Sequence, residues 1–228
     1  MIKKKLFQNK LIKIIENKYV NWEQKSIMLE RVLLEDEHGE EYLKDLIISH
    51  KKTKIRKGAA SILGYMKKTN LANDLIPRIL EEKEWTVRFA LSKSCVKHLK
   101  TVAIEKLNAE YNRKILSSEP QQKHNLKLIF AESLGYLELV EAEPILVALL
   151  NDVGRNRDQK SIELITQILY SLGEVGEKST VEFLIHYSAN NPNNPEGIRI
   201  SAEHAIDKIA KRYRFSSKKA LLEDINKE

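Results

Sequence analysis

Six histidines, one cysteine and a run of clustered lysines are the residues of this 228-residue chain with the most obvious chemical potential. The histidines are followed by Gly39, Lys51, Leu99, Asn125, Tyr187 and Ala205. No His/Cys/Asp cluster has the spacing of a metal-ligand set. His204 stands beside Glu203 and reads as a solvated or lightly paired side chain. There is no glycine-rich phosphate loop and no Ser/His/Asp arrangement, and Gly173-Glu174-Val175-Gly176 reads as a helix end. Cys95 is alone, which excludes an internal disulfide, and its place on an apolar helical face makes it a core thiol. The chain is therefore expected to be no enzyme, with no catalytic residue, metal, cofactor or small-molecule substrate.

The lysines carry a different kind of chemistry. Lys51, Lys52, Lys54 and Lys57 lie close in sequence, and Lys67, Lys68, Lys93, Lys97 and Lys100 follow. Net charge is +7 and unevenly spread: residues 1–114 hold 25 Lys+Arg against 15 Asp+Glu, whereas residues 115–228 hold 14 against 17. Such a split suits an anionic partner at the N-terminal half, or simply a solvated Lys-rich surface. Contacts to phosphates would give affinity without sequence reading. Few aromatics are interleaved with these lysines, so stacking on single-stranded bases draws little support. Trp22 and Trp85 are the only tryptophans. Trp85 opens a helical pattern and is expected to pack against a neighbouring repeat.

The elements that must position these side chains are helices. Ile55 to Met66 (Ile-Arg-Lys-Gly-Ala-Ala-Ser-Ile-Leu-Gly-Tyr-Met) reads as a buried helix and recurs at Leu126–Leu137 and Ile198–Ile209, with weaker copies from Val87 and Leu164. The five starts lie 32 to 39 residues apart, a period that means stacked helical repeats. Each copy is preceded by a Leu-rich first helix: 41–50, 71–82 (with Asn70 as its cap and Pro77 inside), 101–116, 141–150 and 178–189. The second helices are expected at 55–66, 86–99, 121–137, 158–174 and 196–213. Residues 117–120, 151–157 and 190–195 read as breaks. Asn21 should cap an earlier helix from Trp22 to Glu35, and Ser216 a terminal one at 218–225. The expected organisation is an N-terminal helical cap or degenerate repeat at 1–40, a repeat array at 41–213 and a capping helix at 214–228. No run is long enough to span a membrane, and Gln8, Asn9, Lys10 and Lys13 interrupt the basic start, so no signal peptide is expected and the cytoplasm is the expected location.

The second helices carry the form Val/Ile-Arg-x-x-Ala-x-x-x-Leu-Gly, which resembles the HEAT repeat, closest to the short bacterial and archaeal form also seen in phycobilin lyase subunits. Ile55-Arg56, Val87-Arg88 and Ile198-Arg199 match its Val-Arg element, and Leu63-Gly64, Leu134-Gly135 and Leu172-Gly173 its Leu-Gly element. Lys127 and Ile165 depart from the Arg, and the family's Asp near the first helix's end survives clearly at Asp152. The resemblance implies an all-α, right-handed α-solenoid (superhelix) of about five or six stacked helix pairs, in which Arg56, Arg88 and Arg199 are structural. Two enzyme families share related architectures. Di-iron deoxyhypusine hydroxylases need His-Glu ligands, which this chain lacks. Alkylpurine DNA glycosylases use aromatic platforms with an acidic residue in a basic groove, and no local pattern here matches that site. Nothing in the chain points to a tetrapyrrole.

Counted from the first apolar residue of each second helix, the seventh position gives Ser61, Lys93, Glu132, Tyr170 and His204, and the eleventh gives Tyr65, Lys97, Tyr136, Glu174 and Lys208. Positions four apart share a helix face, and these rows lie away from the apolar first, fifth and ninth. The expected function is a non-catalytic protein-interaction scaffold or adaptor. Its concave face would bind a protein, possibly acidic, through Lys51, Lys52, Lys54, Lys57, Lys93, Lys97, Tyr65, Tyr136 and Tyr170. The rival reading is nucleic-acid binding through phosphate contacts from the basic N-terminal half.

Overall fold

A computed structural model describes residues 2–67, 69–153, 158–188, 191 and 193–225; Met1, Lys68, residues 154–157 and 226–228, Ala189 at the end of an expected helix, and Asn190 and Pro192 of the expected break lie outside them. All regular structure among the described residues is helical. The chain divides into two compact units, Met1–Glu110 and Tyr111–Glu228.

The first unit is built from α1 (Ile2–Glu16), α2 (Trp22–Leu33), α3 (Gly39–Ser49), α4 (Thr53–Leu63), α5 (Leu71–Ile79) and α6 (Trp85–Leu99). The expected cap on α2 is present: the Asn21 side chain accepts from Gln24 N–H, and the Gln24 side chain accepts in return from Asn21 N–H. Helix α3 pairs with α4 and α5 with α6, while α4 lies against α6. Helices α1 and α2 cover α3 and α4. Helix α7 (Val102–Ser117) contains the boundary between the units.

The second unit holds α8 (Pro120–Leu137), a short 3-10 turn (Val140–Ala142), α9 (Glu143–Val153), α10 (Gln159–Val175), α11 (Lys178–Ile185), α12 (Glu196–Arg212) and α13 (Lys218–Ile225). Here α8, α10 and α12 lie in series, α9 packs on α10, α11 on α12, and α13 on the outer end at α12. Ile55, Ala59, Leu63, Leu126, Leu134, Ile198 and Ala202, the expected core positions, are all buried.

Several boundaries differ from expectation for physical reasons. Helix α4 stops at Leu63 rather than Met66, and Gly64 N–H turns back to Ser61 O at 3.2 Å. Asn70 does not cap α5, because its own backbone is already helical; Thr69 Oγ1 accepts from Leu71 N–H instead. Ser217, not Ser216, accepts from Ala220 N–H at the start of α13. The expected linker 117–120 shrinks, since α7 runs through Ser117 and Pro120 is the first residue of α8, where its missing N–H costs no helical bond. Helix α11 ends at Ile185, and the amides of Asn191 and Asn194 both donate to His186 O just beyond it.

The Leu-Gly element has a visible cause. A Cβ on Gly64 would stand 2.8 Å from Ser94 Oγ, one on Gly135 2.7 Å from Ser171 Oγ, and one on Gly173 2.8 Å from Ala205 Cα. Each glycine thus meets a small residue of the next second helix, where the two backbones approach most closely. The basic residue after the first apolar one is an anchor. Arg56 makes a two-point contact with Glu82 (3.0 and 3.1 Å) and donates to His50 O, at the end of α3. Arg88 donates to Glu82 O and Lys83 O beyond α5. Lys127, which stands in for Arg, pairs with Asp152 at 2.8 Å. Arg199 differs: its Nε is buried without a hydrogen-bond partner.

Cys95 is fully buried, its Sγ 3.5 Å from Ala72 O, and burial pushes the thiol up to about 12. A thiol so placed holds almost no thiolate at neutral pH. Iodoacetamide should leave the native protein unlabelled over hours and modify it fully in denaturant, as read by intact mass. Rapid labelling without denaturant would mean that the α5–α6 seam opens.

Candidate functional site

The close approach of α4 and α6 decides what lies on their shared inner surface. Gly64, Ala90 and Ser94 are too small to fill the seam, so the longer residues on either side flank a cleft of about 310 Å³. From α4 come Lys57 and Ser61, and from the turn just past its end Tyr65, each four residues after the last. From α6 come Phe89, Lys93 and Lys97 at the same spacing, and Trp22 enters from the start of α2. The expected rows therefore do face one way in this unit: Ser61, Tyr65, Lys93 and Lys97 meet in a single cleft.

The cleft combines apolar area with positive charge. Trp22, Tyr65 and Phe89 are 39%, 44% and 39% exposed. Lys97 Nζ stands 3.9 Å from the Tyr65 ring centroid, Lys25 Nζ 4.5 Å from that of Trp22, and Lys93 Nζ 5.7 Å from that of Phe89. Such cation–ring contacts are worth about 0.5–1 kcal/mol each when exposed, enough to bias the lysines toward the cleft. None of the residues lining it is a carboxylate. Lys25 itself is buried, donates to Ile15 O at the end of α1, and has a lowered pKa, caused first by burial and then by the charge of Lys54. Lys54 thus adds to the positive field behind Trp22.

The remaining sequence candidates divide. Lys51 and Lys52 are exposed but line a different depression, with Lys4, Asp45 and His50, where Lys4 is paired to Asp45. They are adjacent to Lys54 and Lys57 in sequence, yet they precede α4 and do not share its inner face. Lys68 is outside the described residues. In the second unit, Tyr170 stacks on His204 (5.4 Å between centroids, 8° between planes) beneath Lys208 Nζ at 4.4 Å, and Lys208 is paired to Glu174. Tyr136 is half-buried and donates to Glu132 at 2.7 Å. The rows continue there, with Lys208 matched by Glu174 within them. Helix α12 also carries an open depression of about 420 Å³ bordered by Arg199, Ile200 and Asp207.

Two cleft residues escaped the sequence reading. Phe89 is at the third position counted from Val87, four before Lys93, and extending the rows one turn back would have found it. Trp22 lies outside the expected repeat array, and no periodicity links it to α4 and α6. Trp85, expected to pack against a neighbour, is 59% exposed at the first position of α6. Among the described residues no three of His, Cys, Asp and Glu are grouped to hold a metal ion, and no helix is long and apolar enough to cross a membrane. Compared with models of known protein families and with curated protein sequences, the chain matches none.

Proposed function

We propose that this chain is a HEAT-like right-handed α-solenoid serving as a non-catalytic scaffold, and that it binds a protein partner through the inner face of its second helices. The observation that carries this reading is the lysine-and-aromatic cleft between α4 and α6. Half-exposed rings suit a recognition surface, since aromatic residues dominate binding energy and supply area at low entropy cost. The side-by-side packing of α8, α10 and α12 extends the same pattern in the second unit.

Phosphate binding through Lys51, Lys52, Lys54 and Lys57 remains the rival, favoured by the exposure of all four amines. The two readings part under one experiment. The immobilised full chain should retain a reproducible protein set from nuclease-treated extract, and a variant with Tyr65, Lys97 and Tyr170 replaced by Ala, Gln and Ala should lose it. Disappearance of the retained set on nuclease treatment would hand the function to nucleic acid. Lys51→Gln, Lys52→Gln and Lys54→Gln together would then reduce the salt slope of duplex binding by roughly 0.9 for each phosphate no longer neutralised.

A further inference from the structure

From the cleft itself we infer the chemistry of its occupant: an acidic peptide segment carrying an apolar side chain, seated between α4 and α6. The inference rests on the scaffold reading and narrows it to one site and one ligand class.

The cleft's cations are all lysines, lined up along α4 and α6 as Lys57, Lys93 and Lys97, and its lining holds no carboxylate. Several basic side chains of the first unit are held in ion pairs, among them Lys3 with Asp36, Lys10 with Glu35, Lys44 with Asp74, and Arg56 and Arg78 with Glu82, whereas Lys57 and Lys97 have none among the described residues. Charge complementarity at Lys57 and Lys97 therefore calls for an anion at this cleft. The anion must also bring apolar surface, because Trp22, Tyr65, Phe89 and Ala90 form much of the wall, and leaving that area against water forfeits its burial.

Nucleic acid would supply the anion and could supply flat rings, but the geometry disfavours it. Bases stack on open aromatic faces. Here ammonium groups stand over the rings of Tyr65, Trp22 and Phe89, so a base would have to displace a favourable cation contact at every step. Lysines are point charges that serve carboxylates and phosphates alike, so the covered rings decide against bases. A cleft of about 310 Å³ admits an apolar side chain from a segment whose acidic neighbours reach outward to the amines.

The test is a selection of randomised peptides displayed on phage against the immobilised full chain, followed by fluorescence anisotropy of the winners as synthetic peptides. Winners should be enriched in Asp and Glu around an apolar or aromatic residue. Their Kd should rise about tenfold or more, the size of a single well-packed contact, in Lys97→Gln and in Phe89→Ser. Tyr170→Ala, in the second unit, should leave it unchanged. Circular dichroism melts of each variant guard against misfolding, and a variant that melts early is replaced by Lys57→Gln, at an exposed position of α4. Winners without acidic enrichment, no winners, or equal binding to Lys97→Gln would overturn the inference. So would a fluorescein-labelled oligothymidine that binds the cleft more tightly than any selected peptide. If proteins are still captured from extract through Tyr170 while the cleft variants bind like wild type, the scaffold reading stands and this assignment alone fails.

Discussion

Replacing Glu82 with Ala should destabilise the first unit by about 3–5 kcal/mol, the range for removing one partner of a buried ion pair. Glu82 lies just past α5, and its side chain is only 2% exposed. It takes Arg56 through both carboxylate oxygens, accepts from Arg78 at 3.1 Å and from Glu84 N–H at 3.1 Å. The residue thus ties α4 to the end of α5 and sets the entry into α6. Truncation strands the Arg56 guanidinium, whose side chain is 12% exposed, beside a missing charge. Surface pairs of this unit such as Lys10 with Glu35 contribute at most about 1 kcal/mol and set the contrast. Urea unfolding at constant slope reads the difference, and a loss within that surface range would mean that water already solvates the site. The pH dependence has a defined sign. Burial pushes the Glu82 carboxyl up, but the hydrogen bonds from Arg56 and Glu84 and the charges of Arg56 and Arg78 outweigh it, and its pKa is held below the usual carboxylate value. A carboxyl depressed in the folded state adds stability above its unfolded pKa and loses it as pH falls through the folded one. Wild type should therefore lose more stability on acidification than Glu82→Gln, which has no proton to take up.

Glu82 also shows what the sequence made legible. The period, the buried first, fifth and ninth positions and the structural role of Arg56 could be read because burial imposes a repeating demand on every second helix. Glu82 could not be paired with Arg56 in advance, because the acidic residue near the first helix's end shifts by one between repeats: Glu82 is 26 residues after Arg56, while Asp152 is 25 after Lys127. The cleft was half legible for the same reason. Tyr65, Lys93 and Lys97 follow from periodicity within the array, whereas Trp22 arrives by the packing of α2 on α4, a tertiary event with no periodic trace. Lys51 and Lys52 were grouped with Lys57 by proximity in sequence. Helical geometry separates them, since residues before the first turn owe nothing to the face that α4 presents.

The glycine of the Leu-Gly element supplies the second large effect. Gly173 lies in α10 with the space for its Cβ 2.8 Å from Ala205 Cα and 3.2 Å from Ala205 Cβ, on α12. The obstacle is backbone, so no rotamer change can relieve it, and α10 and α12 must move apart. Gly173→Val should cost at least the roughly 1–3 kcal/mol typical of overpacking, since two further methyl groups enter a seam that already lacks room for one. Gly173→Ala is a subtler case. A helical glycine replaced by alanine gains about 1 kcal/mol of helix propensity, which offsets part of the strain, and a net loss of stability would show that the clash wins. The backbone origin of the clash can be isolated by exchange: Gly173→Ala combined with Ala205→Gly removes only the 3.2 Å contact and leaves the Cα at 2.8 Å, so the pair should melt no higher than Gly173→Ala alone. Gly197→Ala is the control, because nothing stands within 4 Å of its Cβ position; it should stabilise by about 0.4–1 kcal/mol through the unfolded chain alone. If Gly173→Ala and Gly173→Val both melt no lower than wild type, the seam is not what demands glycine. The small residues opposite Gly64 and Gly135, Ser94 and Ser171, would then owe their size to some other constraint.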